Sequence, residues 1–339
     1  MKYQEARQQI AGDKLLPVYL LLGEESYLMD LLLKAFKEEL MDEEDAALNV
    51  AVMDCKEVSI QTAVQEANSM PFFGDRKIVL VTDAYFLTSK LLKNGPDHHP
   101  EALMDYLKDP SPSTIFVLAA PYAKLDNRKK LTKILMKQVA VVDCSPLSNR
   151  DREQFVLREA KERNLPLTAN LYEKIIYRVG PELDLLMKEL DKLTLAYQAG
   201  LPLTKELIED LVPLSKETVI FDLIDALNIK DSHRAMEIYQ NLMSQNEDPI
   251  AILALLLSQY SLFLKVKYMK QAGLREYDIV GRLSVHEYRI KLAYRAVDRF
   301  QLERLEEIFL RLLQSNYLAK TGQRAASSLV EWLIIDLCH

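Results

Sequence analysis

The sequence has few of the residues from which reactive centres, disulfide frameworks and membrane spans are built. Its 339 residues include three cysteines, five histidines, nine glycines and one tryptophan. Three cysteines that lie far apart in sequence cannot all pair, which fits a reducing cytoplasm, where we expect the protein to work. The longest apolar run, residues 250–257, is under half of the ~20 residues that a membrane helix needs. No membrane partner is expected, and the first ten residues contain no signal-peptide pattern.

Glycine motifs for phosphate binding are also lacking. None of the nine glycines precedes a lysine, and no two have the spacing of a dinucleotide-binding or Walker A loop. The place of such a loop, after the first candidate strand, holds residues 23–27, Gly-Glu-Glu-Ser-Tyr. Its two carboxylates would repel a triphosphate and would themselves satisfy the positive end of the next helix. Asp83 ends a strand of Walker B shape without a second acidic neighbour, so we predict no nucleotide site.

No catalytic or metal-binding pattern takes the place of these loops. His98 and His99 are adjacent in a loop and the other three histidines stand alone, which excludes the i, i+4 spacing of a helical ligand pair. There is no G-x-S-x-G motif, and no cysteine has the sequence neighbourhood of a catalytic thiol. The sequence therefore predicts no catalytic residue, no metal site and no cofactor.

Residues 1–146 alternate short apolar runs with helical patterns. The runs are apolar almost throughout, which is typical of strands covered on both faces of a parallel sheet. Residues 27–40 repeat apolar side chains at three- and four-residue intervals, which predicts a crossover helix. The predicted strands are 17–22, 48–53, 77–82, 114–119 and 139–143. We expect this part of the chain to be an α/β domain with a parallel sheet.

Beyond residue 146 the pattern becomes helical. Residues 147–212 predict a small helical domain, because proline and glycine separate four amphipathic segments. These segments are 151–163, 168–179, 182–198 and 204–211. Residues 213–339 predict a second all-helical domain, with the strongly apolar segment 250–269 at the centre of a bundle. The expected fold class is α/β plus all-α.

One segment is a candidate surface anchor. Residues 69–75, Ser-Met-Pro-Phe-Phe-Gly-Asp, separate a helical stretch at 60–68 from the strand at 77–82. Pro71 cannot continue the helix, and in an extended chain Phe72 and Phe73 point to opposite sides. A displayed ring could fill a pocket of another protein, since burying a Phe contributes roughly 1.5–3 kcal/mol. The alternative, that both rings complete the local core, stays open on the sequence.

The formal net charge of −7 hides a local basic stripe. Residues 265–299 contain nine basic and four acidic side chains. This composition is compatible with a phosphate backbone nearby and equally with the solvated face of a helical bundle. The basic residues are Lys265, Lys267, Lys270, Arg275, Arg282, Arg289, Lys291, Arg295 and Arg299.

Taken in order, six short segments resemble the delta subunit of the bacterial DNA polymerase III clamp loader. They are 18–28 (VYLLLGEESYL), 71–79 (PFFGDRKIV), 124–131 (KLDNRKKL), 179–183 (VGPEL), 220–226 (IFDLIDA) and 320–322 (KTG). The resemblance implies an AAA+-like parallel-sheet domain over 1–146 with a helical lid over 147–212, without ATP binding. It also implies a helical collar over 213–339, through which five subunits form a ring.

The resemblance further implies a function for the candidate anchor. Members of this family insert a hydrophobic tip of the first domain into the sliding clamp and favour its open ring. The matching positions here are Met70, Pro71, Phe72 and Phe73. The chain is then expected to have no catalysis of its own within the DNA-directed DNA polymerase holoenzyme.

The implied partners are the sliding clamp, the clamp-loader ATPase subunits, the delta-prime subunit and primed DNA. Lys320, Thr321 and Gly322 match the collar segment that lies close to primed DNA in the family. Two other functions stay open on the sequence. One is an active AAA+-type DNA-dependent ATPase with a degenerate phosphate loop, and the other is a helical scaffold with no role in replication.

Overall fold

A computed structural model describes residues 1–12, 15–38, 48–72, 74–90, 92–283 and 285–338. The chain folds into two compact units, Met1–Leu147 and Ser148–His339. The second unit contains both the predicted lid and the predicted collar. The division of the chain into three domains, with a further boundary at residue 212, stays a prediction.

The first unit is built on a five-stranded parallel sheet, as predicted. The strands are β1 Val18–Leu22, β2 Val50–Asp54, β3 Lys77–Thr82, β4 Thr114–Ala120 and β5 Ala140–Asp143. Their order is β2-β3-β4-β1-β5, and every neighbouring pair is parallel. Every residue of β4 is buried, because helices cover both faces of the central strands.

The crossover helices of this unit follow the apolar periodicity of the sequence. They are α1 Tyr3–Ala11, α2 Ser26–Glu38, α3 Ile60–Asn68, α4 Pro100–Tyr106 and α5 Lys130–Gln138. The helix predicted over 27–40 is observed as far as Glu38, and residues 39 and 40 lie outside the described residues. The five-stranded parallel sheet with crossover helices is the arrangement that the resemblance implied for residues 1–146.

The second unit is helical wherever the structure describes it. Its helices are α6 Asn149–Glu162, α7 Ala169–Val179, α8 Leu183–Gln198, α9 Lys205–Leu211, α10 Lys216–Asn228, α11 Ser232–Ser244, α12 Pro249–Gln271, α13 Glu276–Val280, α14 Glu287–Ala296, α15 Leu302–Lys320 and α16 Ala326–Cys338. The fold class, α/β followed by all-α, is the predicted one.

Helix α12 is the central helix of this unit. By length and composition it is the one helix among the described residues that could cross a membrane, and 44% of the apolar stretch is buried inside the unit. It packs against α10, α13, α14, α15 and α16. This packing is that of a core helix and confirms the predicted central position of the 250–269 segment.

Candidate functional site

The candidate tip follows the last turn of α3 and displays two apolar side chains. Met70 is 88% exposed and Phe72 is 77% exposed, while Pro71 is half-buried. The Phe72 N–H donates to Asn49 Oδ1 at 2.7 Å, which ties the main chain of the tip to the segment before β2. Phe73 lies outside the described residues. For Phe72, the alternative of a core position is therefore excluded.

The C-terminal end of α3 is anchored by side chains of the sheet. Lys77, the first residue of β3, is only 3% exposed. Its ammonium donates to the Glu66 carbonyl at 2.9 Å and to Ser69 Oγ at 2.6 Å, and it pairs with the Glu66 carboxylate. Thr114 Oγ1 donates to the Ala67 carbonyl at 2.7 Å. The last carbonyls of α3 thus have donors, and a cation lies at the negative end of the helix.

The N-terminal end of α3 is held by a neutral histidine. The Ile60 N–H donates to His98 Nδ1 at 3.1 Å, which places the ring proton on Nε2. That nitrogen lies 3.1 Å from the Cys55 carbonyl oxygen and 3.0 Å from the Tyr85 hydroxyl. Burial lowers the pKa of His98, and its ring stacks on Phe86. The helix that leads to the tip is therefore fixed at both ends.

The turn after β1, where a phosphate loop would lie, is closed by the main chain that follows β5. The Glu25 N–H donates to the Cys144 carbonyl at 2.9 Å, and the Gly23 N–H donates to the Ala120 carbonyl at 3.3 Å. Gly23 has φ +149°, and a Cβ built there would lie 2.0 Å from the carbonyl carbon of Cys144 and 2.3 Å from the nitrogen of Ser145. Main-chain donors that would cradle a phosphate are thus already bonded within the protein.

The candidate Walker B residue forms an ion pair within the protein. Asp83 lies beyond β3 with φ +51°, pairs with Lys56 and accepts a hydrogen bond from the Tyr122 hydroxyl. Burial, and then the Asp83 carboxylate, raise the pKa of Tyr122. The ammonium of Lys90 lies 4.7 Å from the centroid of the Tyr122 ring. The carboxylate is therefore one member of a local charged cluster.

All three cysteines are free and buried. Burial raises the pKa of the Cys55 and Cys144 thiols to about 12, with smaller contributions from nearby carboxylates. Both thiols are protonated at neutral pH, which is the opposite of what a catalytic thiol needs.

The candidate DNA-proximal segment lies at the end of α15. Lys320 is the last helical residue, and Gly322 follows with φ +69° and open space around its Cα. The Thr321 hydroxyl donates to the Tyr317 carbonyl at 2.9 Å. Lys320, Thr321 and Gly322 are all exposed. Their part in DNA contact stays a prediction.

The last two helices carry exposed apolar side chains at helical spacing. Leu310, Leu313 and Tyr317 are at i, i+3 and i+7 on α15 and therefore share one face. Trp332 and Ile335 are at i and i+3 on α16, which packs against α15. Apolar side chains that share one exposed helix face are candidates for contact with another protein.

Several anchoring residues were missed by sequence reasoning. Lys77 was predicted only as the start of a strand, Asn49 as part of one and His98 as a loop residue. The one signal for Lys77 was a lysine at the head of an otherwise apolar strand. Neither Asn49 nor His98 carries a comparable signal, because each acts on a residue at least 23 positions away.

Comparison with known proteins gives a consistent family. The protein-family model described as "DNA polymerase III, delta subunit" matches residues 19–145. A second family model, described as "DNA polymerase III delta subunit, C-terminal domain", matches residues 217–337. The Bacillus subtilis DNA polymerase III subunit delta is 33% identical over 95% of this chain and 92% of its own length. The probable DNA polymerase III subunit delta of Aquifex aeolicus is 26% identical over 76% of this chain and 72% of its own length.

A solved structure agrees with the sequence comparison. The Bacillus subtilis DNA clamp loader delta protein is 32% identical to this chain and superposes with a TM-score of 0.74. The superposition covers 99% of each chain, so the similarity includes both the sheet unit and the helical unit.

Proposed function

The chain belongs to the DNA polymerase III delta-subunit family, and from this we propose that it binds the sliding clamp and favours its open ring. It is a clamp-loader subunit of the replicative polymerase, and the opened clamp is then loaded onto primed DNA. The observation that carries the proposal is the display of Met70 and Phe72, at 88% and 77% exposure, beyond a helix fixed at both ends.

The tip acts by differential binding. Met70, Pro71, Phe72 and Phe73 form an apolar anchor, and burying each large side chain in a cleft of the clamp contributes roughly 1.5–3 kcal/mol. A ring with open and closed states shifts toward the open state only if the tip binds that state more tightly. A fixed helix supports this because little conformational entropy is lost when the tip docks.

We propose that the chain has no catalysis of its own and leaves ATP hydrolysis to other subunits. The bonded donors of Gly23 and Glu25 and the close approach of Cys144 support this, because they occupy the place of a phosphate loop. Equilibrium dialysis of the isolated chain with labelled ATP should give no saturable binding. Saturable binding would favour the ATPase with a degenerate phosphate loop instead.

The collar helices are proposed to join the ATPase subunits and the delta-prime subunit. The exposed apolar faces of α15 and α16 support this assignment, since a monomer has no internal use for them. Lys320 ends α15, Thr321 and Gly322 follow it directly, and we propose that all three lie toward primed DNA in the assembled loader.

The proposed function is tested by ring release. A sliding clamp closed around circular DNA leaves it only when the ring opens, so the chain alone should release the clamp without ATP. The double variant M70A/F72A should lose this release. M136A, which truncates an exposed methionine on α5 of the same unit, is the matched control and should retain it. Equal release by M70A/F72A and the intact chain would reject the assigned tip.

A further inference from the structure

A cavity of about 420 Å³ in the second unit lies between the start of α6, helix α7 and helix α14. Its volume is within the ~300–1,000 Å³ range of small-molecule sites. The ionisable side chains that line it with formal charge are Arg150, Arg152, Lys291 and Arg295, with Glu153 and Glu173. Four cations and two carboxylates leave a formal surplus of two positive charges in this cavity.

The most buried of these cations has only neutral partners. Arg152 is 2% exposed, and among the described residues no ion pair joins its guanidinium to a carboxylate. Its Nη2 donates to Asn149 Oδ1, and its Nη1 lies 2.9 Å from His286 Nε2. A buried charge without an opposite charge is costly, and an anion that enters the cavity would reduce that cost.

Two polar atoms at the cavity have no hydrogen-bond partner among the described residues. They are Nε of Arg152 and the hydroxyl of Tyr172, whose side chain is 4% exposed and whose oxygen lies beside the Arg152 guanidinium. A guanidinium can only donate, so the Tyr172 O–H proton and the Arg152 Nε proton both lack an acceptor. Buried polar groups in folded proteins are nearly always hydrogen-bonded, and two such donors side by side at one cavity point to a ligand with acceptor oxygens.

The imidazole beside Arg152 does not change this charge balance. Burial, followed by the charges of Arg152 and Arg289, lowers the pKa of His286 to about 4. His286 is therefore neutral at physiological pH and supplies neither a compensating charge nor a further cation.

The structure also shows which cations of the basic stripe, residues 265–299, have partners within the unit. Four of its nine residues are used inside the unit: Lys267 binds the Val297 carbonyl, Lys270 pairs with Asp298, Arg275 with Asp278, and Arg299 with Asp225. Lys291 and Arg295 have no ion pair among the described residues and lie one turn apart on α14, where both line the cavity. Part of the unpaired charge of the stripe is thus gathered at this one place.

We propose that this cavity binds a small phosphate-type oxyanion, either free phosphate or the phosphate group of a small ester. A phosphate group carries close to two negative charges at neutral pH, which matches the surplus at the cavity. Arg152 and Tyr172 are recessed, so a ligand must enter the cavity to reach them, whereas a nucleic-acid backbone contacts exposed cations. The site is independent of the clamp-binding tip and lies in the other unit.

Calorimetric titration and thermal unfolding of the full chain test the site with inorganic phosphate and with glycerol 3-phosphate. Sodium chloride at matched ionic strength is the reference. We expect saturable binding and a rise in Tm of about 2–4 °C once the ligand exceeds its Kd several-fold. Whichever ligand binds more tightly shows whether the cavity takes free phosphate or the phosphate group of a small ester.

The variants locate the site. K291Q/R295Q changes two side chains at the mouth of the cavity and should abolish both binding and the rise in Tm. K265Q/R282Q removes two exposed charges of the same stripe that do not line the cavity, and should keep both. Equal Tm values in phosphate and chloride, or the same rise in K291Q/R295Q, would overturn the proposal. So would a single-stranded oligonucleotide that binds through Lys291 and Arg295 while phosphate does not bind.

Discussion

The buried ammonium of Lys77 lies 2.9 Å from the main-chain carbonyl oxygen of Glu66, at the end of the helix that leads to the tip. Lys77 begins β3 and Glu66 lies in the last turn of α3, so the contact joins the central sheet to the exposed segment that follows. The same ammonium binds Ser69 Oγ and the Glu66 carboxylate. The position of Met70 and Phe72 is therefore set from inside the unit.

Replacing Lys77 should weaken clamp binding, although the buried Lys77 side chain does not itself contact the clamp. K77M removes the ammonium that binds the Glu66 carbonyl and Ser69, and it leaves the Glu66 carboxylate without its cation, which we expect to lower the free energy of unfolding by about 1–3 kcal/mol. Clamp affinity should also fall, because a less ordered tip loses more entropy on docking. Urea unfolding and a clamp binding isotherm measure the two effects.

The two measurements distinguish a residue that anchors α3 from a residue that contacts the clamp. M70A/F72A should lower clamp affinity with little change in unfolding free energy, since both side chains are exposed. K77M should change both. A K77M protein that is destabilised and yet binds the clamp at full strength would show that the anchoring of α3 is not used in binding.

The turn after β1 is tight, so a single methyl group added there should lower the free energy of unfolding substantially. In G23A the Cβ would meet main-chain atoms of Cys144 and Ser145 at 2.0–2.3 Å, which cannot be relieved by a side-chain movement. We expect the free energy of unfolding to fall by roughly 2–4 kcal/mol, from the clash together with the unfavourable φ. Chemical denaturation followed by circular dichroism measures it.

G273A is the matched control for the turn. Gly273 also has a positive φ, +82°, but no atom lies within 4 Å of the position of a Cβ. Its replacement should cost only the backbone conformation, roughly 1–2 kcal/mol. Equal losses in G23A and G273A would show that the approach to Cys144 is looser than described.

Stability should fall in mild acid because His286 is held neutral. Above pH ~6.5 the imidazole is neutral in both folded and unfolded chains. Between that value and its folded pKa of about 4, the unfolded chain takes up a proton that the folded chain excludes, so the unfolding free energy declines as pH falls through this window. Because the side chain is partly exposed, we expect a loss of about 1–2 kcal/mol.

H286N isolates this contribution. The Tyr288 N–H donates to His286 Nδ1 at 3.1 Å at the start of α14, and asparagine is a good residue for that capping position. The variant should therefore fold and show a shallower decline in unfolding free energy between pH 6.5 and 4. The pKa of His98 is also lowered, so part of the decline should persist. An unchanged slope would contradict the assignment to His286.

The exposed face of α15 should be needed for assembly and not for folding. L310S/Y317S changes two side chains that are 62% and 60% exposed, so the unfolding free energy should change by less than about 0.5 kcal/mol. Association with the other clamp-loader subunits, followed by size-exclusion chromatography, should be lost. L195S, at a 68% exposed position of α8, is the control and should still assemble.

Much of the fold could be predicted because its signals are local. The five strands are continuous apolar runs, and the helix at 60–68 was predicted with the bounds that α3 has in the structure. The sequence left open whether Phe72 is displayed or completes the local core. Its exposed position goes with a contact to Asn49, whose side chain binds the Phe72 N–H from 23 residues away.

The supports of the tip could not be predicted, for a physical reason. A lysine is rarely buried, and the burial of Lys77 depends on carbonyl and carboxylate oxygens of α3 that only the folded sheet brings together. His98 acts on Ile60 across 38 residues of chain. Tertiary contacts likewise decide which cations of the basic stripe have an ion pair among the described residues, as Lys270 does, and which do not, as Lys291 does not.

The affinity of single-site variants for the sliding clamp decides whether Phe72 is the anchor of this chain. Surface plasmon resonance with immobilised clamp should give at least about a 30-fold rise in Kd for F72A, as expected when a central aromatic anchor is truncated. M136A should bind like the intact chain, and circular dichroism should show both variants folded. A Kd for F72A within about twofold of the intact chain would show that Phe72 does not anchor the clamp.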